Sequence, residues 1–227
     1  MKKLLDLCIG VIRDASLYRT NNNARLKADA EYKAVRPRVM SEQQYKCRFC
    51  GYTSQKFNQC HHLDGNHAHN EASNFAVADA LCHAYHHLGQ TGSQDQFAPE
   101  NMGAKTVVAA VPEMTAADLN LLQRAIGVAL LDPEEASTAR ELHDILFKRA
   151  VPVQEAFGSF RTGDFAGAMA KLDDEEFANR AHVVGDLRLI FREDVLKNEG
   201  RHFLEDFTSL PFKSWDAIQN AHNKTAV

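Results

Sequence analysis

Nowhere in its 227 residues does the chain hold the roughly eighteen consecutive apolar residues that a membrane-spanning helix requires, so no direct insertion into a bilayer is expected. A secretory leader is not expected either. The run LLDLCIGVI follows two lysines, but Asp6 interrupts it and no small-residue cleavage site precedes Arg13 and Asp14. Positive charge is not in excess: 26 Lys and Arg against 30 Asp and Glu give a net charge of −4, which argues against a protein whose main task is to grip duplex backbone. The five cysteines are odd in number and suit free thiols in a reducing compartment better than a disulfide framework, so a cytoplasmic location is expected.

What is present is concentrated. The stretch from Cys47 to His87 holds four of the five cysteines and seven of the eleven histidines. It opens with Cys47-Arg-Phe-Cys50, a spacing that lets one tight turn aim two thiolates at a single Zn2+ ion. Cys82 and a dense set of imidazoles follow about thirty residues later and can complete a tetrahedral site. Asp79 is the expected fourth ligand, because its offset from Cys82 repeats the two-residue gap of the first pair. His86, one helical turn after Cys82, or His83 could replace it. Cys60 is either packing or a further ligand, and Cys8 is packing. His67 and His69 fall in a loop around Gly65, where exposed histidines need no role.

A second pattern lies between the halves of that site: His61-His62, then Asn74, then His83. It resembles the HNH, or ββα-metal, nuclease fold. By that resemblance His61 would ligate a catalytic metal and His62 would be the general base. Asn74 would tie the hairpin loop, His83 would be the second ligand, and His87 one turn further could add a donor. With its flanks included, the chain resembles a narrower group. YKCRFCGY, HHLDGN, the Ser73-Asn74-Phe75 step, VPEMTAADLNLL and LFKRAVPVQEAFG look like the IcmJ/DotN family of type IVB secretion systems and related conjugation machines, and the likeness runs over most of the chain. The resemblance implies a structural zinc module that binds the cytosolic tail of the coupling-protein ATPase and does not cleave DNA. Two departures matter. The family's zinc site is made of cysteines, whereas Asp79 stands here three residues before Cys82. The family is also loose at the nuclease positions, whereas His61, His62 and His83 are all present.

Along the chain, residues 1–20 predict a strand against the zinc module. A helix follows over Ala24–Val35, stopped by Pro37, and Ser41 caps a short turn. The basic residues from Arg13 to Arg48 read as solvated helix faces or a local basic patch. Composition turns to Gly, Gln, Ser and Asp after His87 and reads as a loop through Gly103. VVAAV at 107–111 is a short strand before Pro112. Thr115 to Asp118 forms a capping box with Asp in place of Glu, leading a helix with Leu119, Leu122, Ile126 and Leu130 on one face. Asp132-Pro133 starts another, with a buried stripe of Leu142, Ile145 and Leu146, and LFKRAVPVQEAFG is read as helix. A helix over Asp164–Leu172 precedes one from Glu175, where Phe177, Ala181, Val184, Leu187 and Phe191 recur near the helical period. GDFAGAMAKL resembles half a tetratricopeptide repeat, but no second copy stands at the needed period. Phe203, Phe207, Phe212 and Trp215 crowd the tail, to close the core or to dock a partner.

The expected fold is α+β and mostly helical: an HNH-like ββα zinc module over 1–103, followed by a helical region over 104–227 packed on it. The expected function is a noncatalytic, zinc-stabilised adaptor of a type IVB coupling complex, cytoplasmic and recruited to the inner membrane through that complex. The alternatives are an active HNH endonuclease, with a second divalent metal, and a zinc module that binds nucleic acid without cutting.

Overall fold

In the computed structural model, which describes residues 4–13, 23–88 and 106–206, the first helix, α1 (Asn23–Glu42), runs through Pro37 instead of stopping before it. Proline inside a helix costs about 3 kcal/mol through its missing amide hydrogen and its clash with the preceding turn. Val39 and Met40, just beyond it, are almost fully buried against Cys60, Phe75 and Val77. Burying two such side chains contributes roughly 3–6 kcal/mol, which offsets the proline. Ser41 therefore lies in the last turn of α1, and the chain reverses after it through Gln44 and Tyr45, both left-handed with φ 56° and 54°. Gln43 ties this corner to the next element: its side-chain amide donates to Phe75 O at 2.9 Å and accepts from Val77 N at 2.9 Å.

A tight turn over Cys47–Tyr52 follows, closed by Cys47 N to Tyr52 O at 2.7 Å and Gly51 N to Cys47 O at 3.0 Å. Gly51 adopts φ +83°, a conformation that side chains disfavour. Strands β1 (Gln59–His62) and β2 (Phe75–Ala78) pair antiparallel, with His61 opposite Ala76 and His62 opposite Phe75, and helix α2 (Ala80–His86) leaves the end of β2. The N-terminal segment 4–13 is not a strand. Its backbone bonds go to a turn and to the end of a helix, Leu5 N to Arg48 O and Gly10 N to Tyr85 O, both at 2.7 Å, so no ladder forms.

The remaining elements are β3 (Thr106–Ala110), α3 (Ala116–Ala129), α4 (Ala136–Lys148), α5 (Val151–Phe157), α6 (Thr162–Met169), α7 (Asp174–Ala178), α8 (Ala181–Val184), β4 (Leu187–Phe191) and α9 (Glu193–Asp206). Thr115 caps α3 by accepting from Asp118 N at 3.1 Å, while the Asp118 carboxylate takes the Thr115 hydroxyl at 2.6 Å rather than the backbone amide that a longer Glu would reach. Asp132 and Pro133 form a turn ahead of α4, and the buried face of that helix is Ala136, Ala139, His143 and Leu146. Leu142 and Ile145, expected inside, are 37% and 59% exposed. LFKRAVPVQEAFG is split between α4 and α5 at Arg149 and Ala150, two residues before Pro152. The helix expected over 164–172 is α6, which begins at Thr162 and ends at Met169.

The largest departure lies after Glu175. Instead of one helix, the chain forms two short ones and then β4, whose five residues are all buried and pair antiparallel with β3, Val108 opposite Leu189. Positions four apart, such as Leu187 and Phe191, share a face in a strand as they do in a helix, so the apolar spacing fitted both. One buried cluster joins Ile9, Leu81, Tyr85 and Leu88 to Val108, Leu119, Leu189 and Leu196, and Tyr85 OH accepts from Leu189 N at 2.9 Å. The described residues thus form a mixed α+β fold, mostly helical, with two small sheets. Among the described residues no helix is long and apolar enough to cross a membrane. The loop expected after His87 lies outside the described residues beyond Leu88, as do Phe207, Phe212 and Trp215.

Candidate metal centres

The Cys47–Tyr52 turn, the end of β2 and the first turn of α2 converge on one buried point. Cys47, Cys50, Asp79 and Cys82 each offer a ligand atom there, and these atoms lie within 4.8 Å of one another. A tetrahedral ion with sulfur ligands at about 2.3 Å places its donors about 3.8 Å apart, so the group could hold a metal ion after only small adjustment. Asp79 serves two purposes through its two oxygens. Oδ1 caps α2 by accepting from Leu81 N at 2.8 Å and Cys82 N at 3.1 Å, and Oδ2 accepts from Cys50 Sγ at 2.6 Å. Burial, and after it the charge of Cys47, pushes the Asp79 carboxyl up to about 6 against the pull of Arg124. Three thiols and a carboxyl crowded out of water cannot all ionise without added positive charge, which a metal ion could supply.

A second group forms around His61: the ring nitrogens of His61, His83 and His87 also lie within 4.8 Å of one another.

 His61 reaches it from β1, and His83 and His87 come from successive turns of α2 and its end. Burial is the main reason that all three imidazoles stay neutral: His83 is lowered to about 3, His87 to about 2 and His61 further, with each neighbouring imidazole adding to the effect. Neutral rings keep the lone pairs that a metal ion requires. The group opens onto a cavity of about 200 Å³ that also receives His62, His67 and Arg36.

His62, the next residue of β1, lines the same cavity with different neighbours. Its ring packs on Phe75 and stacks with Tyr32 and His67, and its Nε2 lies 3.1 Å from Asn70 Oδ1. Asn74 ties the hairpin loop: its Nδ2 donates to Asp64 Oδ1 at 2.8 Å and to His69 O at 3.0 Å, and its Oδ1 accepts from Asp64 N at 3.2 Å. His86 joins neither group. Its ring packs tilted against Phe49 and stacks on His61, and its Nε2 is buried without a hydrogen-bond partner. Cys60 packs with Val39, Met40 and Phe75, and burial pushes its thiol up to about 11. Cys8 is half-buried against the main core. His67 lines the cavity beside His62, and His69 pairs with Asp64 at 2.6 Å.

Sequence reasoning missed the residues that surround the first group from α3 and α9. Asn120, Arg124 and Glu199 are buried polar side chains in amphipathic helices, and no local spacing marks them as neighbours of Asp79 and Cys82.

No protein-family model matches the chain. The chain is similar to the Type 4 apparatus protein DotN of Legionella pneumophila, with 26% identity over 133 residues that make up 58% of this chain and 59% of that protein. It therefore spans about three-fifths of the length of the curated relative that it matches. That similarity bears out the family resemblance read from the sequence motifs.

Proposed function

We propose that this chain is a component of a type IVB secretion or conjugation apparatus, acting as a noncatalytic, zinc-stabilised adaptor that binds the cytosolic tail of the coupling-protein ATPase. The similarity to DotN carries this reading. The hairpin followed by a helix, with Asn74 tying the loop, supports an HNH-like module over residues 1–103, and Cys47, Cys50, Asp79 and Cys82 are its zinc ligands. Three thiolates and a carboxylate in a closed, buried site suit structural Zn2+, with no open position for a reacting water. The second part, 104–227, is proposed as the helical region, of which residues 106–206 are described. There α4 and α5 leave Leu142, Ile145, Val151 and Phe157 partly in solvent, apolar surface of the kind that receives an amphipathic segment. The complex would recruit the protein to the inner membrane from the cytoplasm. Immobilised full-length protein should retain the cognate ATPase tail at micromolar concentration, and Ile145→Asp should weaken that retention; no retention by wild type would sink the adaptor reading.

A metal-dependent HNH endonuclease is the second reading, favoured by the convergence of His61, His83 and His87 beside His62. Those three would hold the metal, which would polarise a phosphodiester, and His62 would take a proton from the attacking water. The adaptor reading expects no nicking of plasmid DNA by wild type or His62→Ala with magnesium, manganese or nickel. The nuclease reading instead expects wild-type nicking that falls by about 10²–10⁴ in His62→Ala. Salt-dependent DNA binding without cleavage would point to a nucleic-acid-binding module.

A further inference from the structure

Helix α3 presents Asn120 and Arg124, one turn apart, to the four-residue group. Asn120 Nδ2 lies 3.3 Å from Cys82 Sγ, and Arg124 Nη2 lies 3.3 Å from Asp79 Oδ1. Both side chains are almost completely buried, Arg124 at 3% exposure. A guanidinium so far from water is held by further contacts: Nη1 donates to Glu199 Oε2 of α9 at 3.0 Å, and the guanidinium carbon stands 3.9 Å over the ring of Tyr52, which belongs to the Cys47–Tyr52 turn. Tyr52 in turn donates to Asp206 at 2.6 Å, and His202 lies 3.3 Å from Glu199. Contacts therefore run without a break from the metal-binding group through α3 to the last described helix.

We propose that Asn120 and Arg124 are positioning residues of the zinc centre, supplied by the helical region, and that Glu199 and Tyr52 fix Arg124 in that role. The proposal rests on the reading of Cys47, Cys50, Asp79 and Cys82 as zinc ligands. Three thiolates and one carboxylate outweigh a divalent ion by two negative charges, and a buried excess of that kind needs a cation nearby. Arg124 supplies it at the one oxygen ligand, leaving Oδ2 of Asp79 to face the metal while Oδ1 caps α2. Asn120 donates to a thiolate, which lowers the charge that sulfur gives to the metal. Partners of this kind orient the ligands and commonly change metal affinity by about 10–100-fold. It follows that zinc binding and the seating of α3 and α9 are one event, because each completes the charge and hydrogen-bond requirements of the other.

The test uses the full chain and Zn2+ alone. Arg124→Met should weaken zinc retention against a chromogenic chelator by about 10–100-fold, and Asn120→Leu should weaken it in the same direction. With Co2+ in place of zinc, Asn120→Leu should move the sulfur-to-cobalt charge-transfer band, a change that looser helix packing alone would not produce. Removing zinc from wild type should speed amide exchange throughout α9, more than 100 residues away in sequence. Wild-type affinity in both variants with an unmoved cobalt band would overturn the proposal while leaving the zinc site itself intact. Wild type that retains no zinc would overturn the site and the proposal together. Should Arg124→Met fail to fold, the affinity and cobalt spectrum of Asn120→Leu decide.

Discussion

Cys47→Ser protein is expected to lose its zinc and, with it, its solubility. A serine hydroxyl does not ionise near neutral pH and is a poor replacement for thiolate, so only Cys50, Asp79 and Cys82 would remain to hold the ion. Structural zinc sites contribute an apparent 10–16 kcal/mol or so at neutral pH, as much as the whole net stability of a typical domain, roughly 5–15 kcal/mol. The substitution also leaves three acidic groups buried together with only Arg124, among the described residues, as a cation beside them. Elemental analysis of wild type should find one zinc per chain, and the variant should retain little and collect in the insoluble fraction. Cys60→Ser is the control: Cys60 packs among Val39, Met40 and Phe75 and should keep full zinc. Full zinc and an unchanged melting temperature in Cys47→Ser would remove Cys47 from the site.

The second large effect is expected at the crossing of α3 and α9. A Cβ on Gly127 would sit 2.1 Å from Leu196 O, and one on Gly200 would sit 2.4 Å from the carbonyl carbon and oxygen of Gly127. These neighbours are backbone, so the helices themselves must separate. One turn away, Arg124 and Glu199 form their buried pair, which the separation would also disturb. Overpacking alone costs about 1–3 kcal/mol and breaking a buried ion pair about 3–5 kcal/mol, so Gly200→Ala should destabilise by about 3 kcal/mol or more. For a chain of this size that corresponds to a fall of about 10 °C in melting temperature. Gly167→Ala in α6 provides the contrast. Nothing lies within 4 Å of its new methyl group, and exchanging glycine for alanine in a helix gains roughly 0.5–1 kcal/mol. Opposite signs are therefore expected from the same substitution at the two sites; equal melting temperatures would mean that the helices do not cross this closely.

Much of the first candidate metal group was readable because its signals are local. Cys47 and Cys50 are brought together by one turn, and Asp79 and Cys82 by the first turn of one helix, so spacing alone placed each pair. The His61-His62 pair and Asn74 were readable for the same reason, since a hairpin relates residues that are near in sequence. Thr115 announced α3 through the geometry of a single cap.

Other features depended on partners far along the chain. Pro37 looked like a stop because propensity weighs only the local backbone, whereas the burial of Val39 and Met40 is decided by the hairpin they meet. The LRLIF stretch could satisfy helix or strand spacing, and its pairing with β3, about 80 residues earlier in the chain, made it a strand. His62 and His61 are adjacent in sequence, but the strand sends one toward Tyr32 and Phe75 and the other toward His83 and His87. The amino-acid sequence by itself determined the donor pairs, the hairpin and the helix caps, each set by interactions within a turn or two. Only the tertiary structure decided which pairs share a site and that Asn120 and Arg124 surround it, because those contacts arise from buried apolar faces of distant elements finding one another.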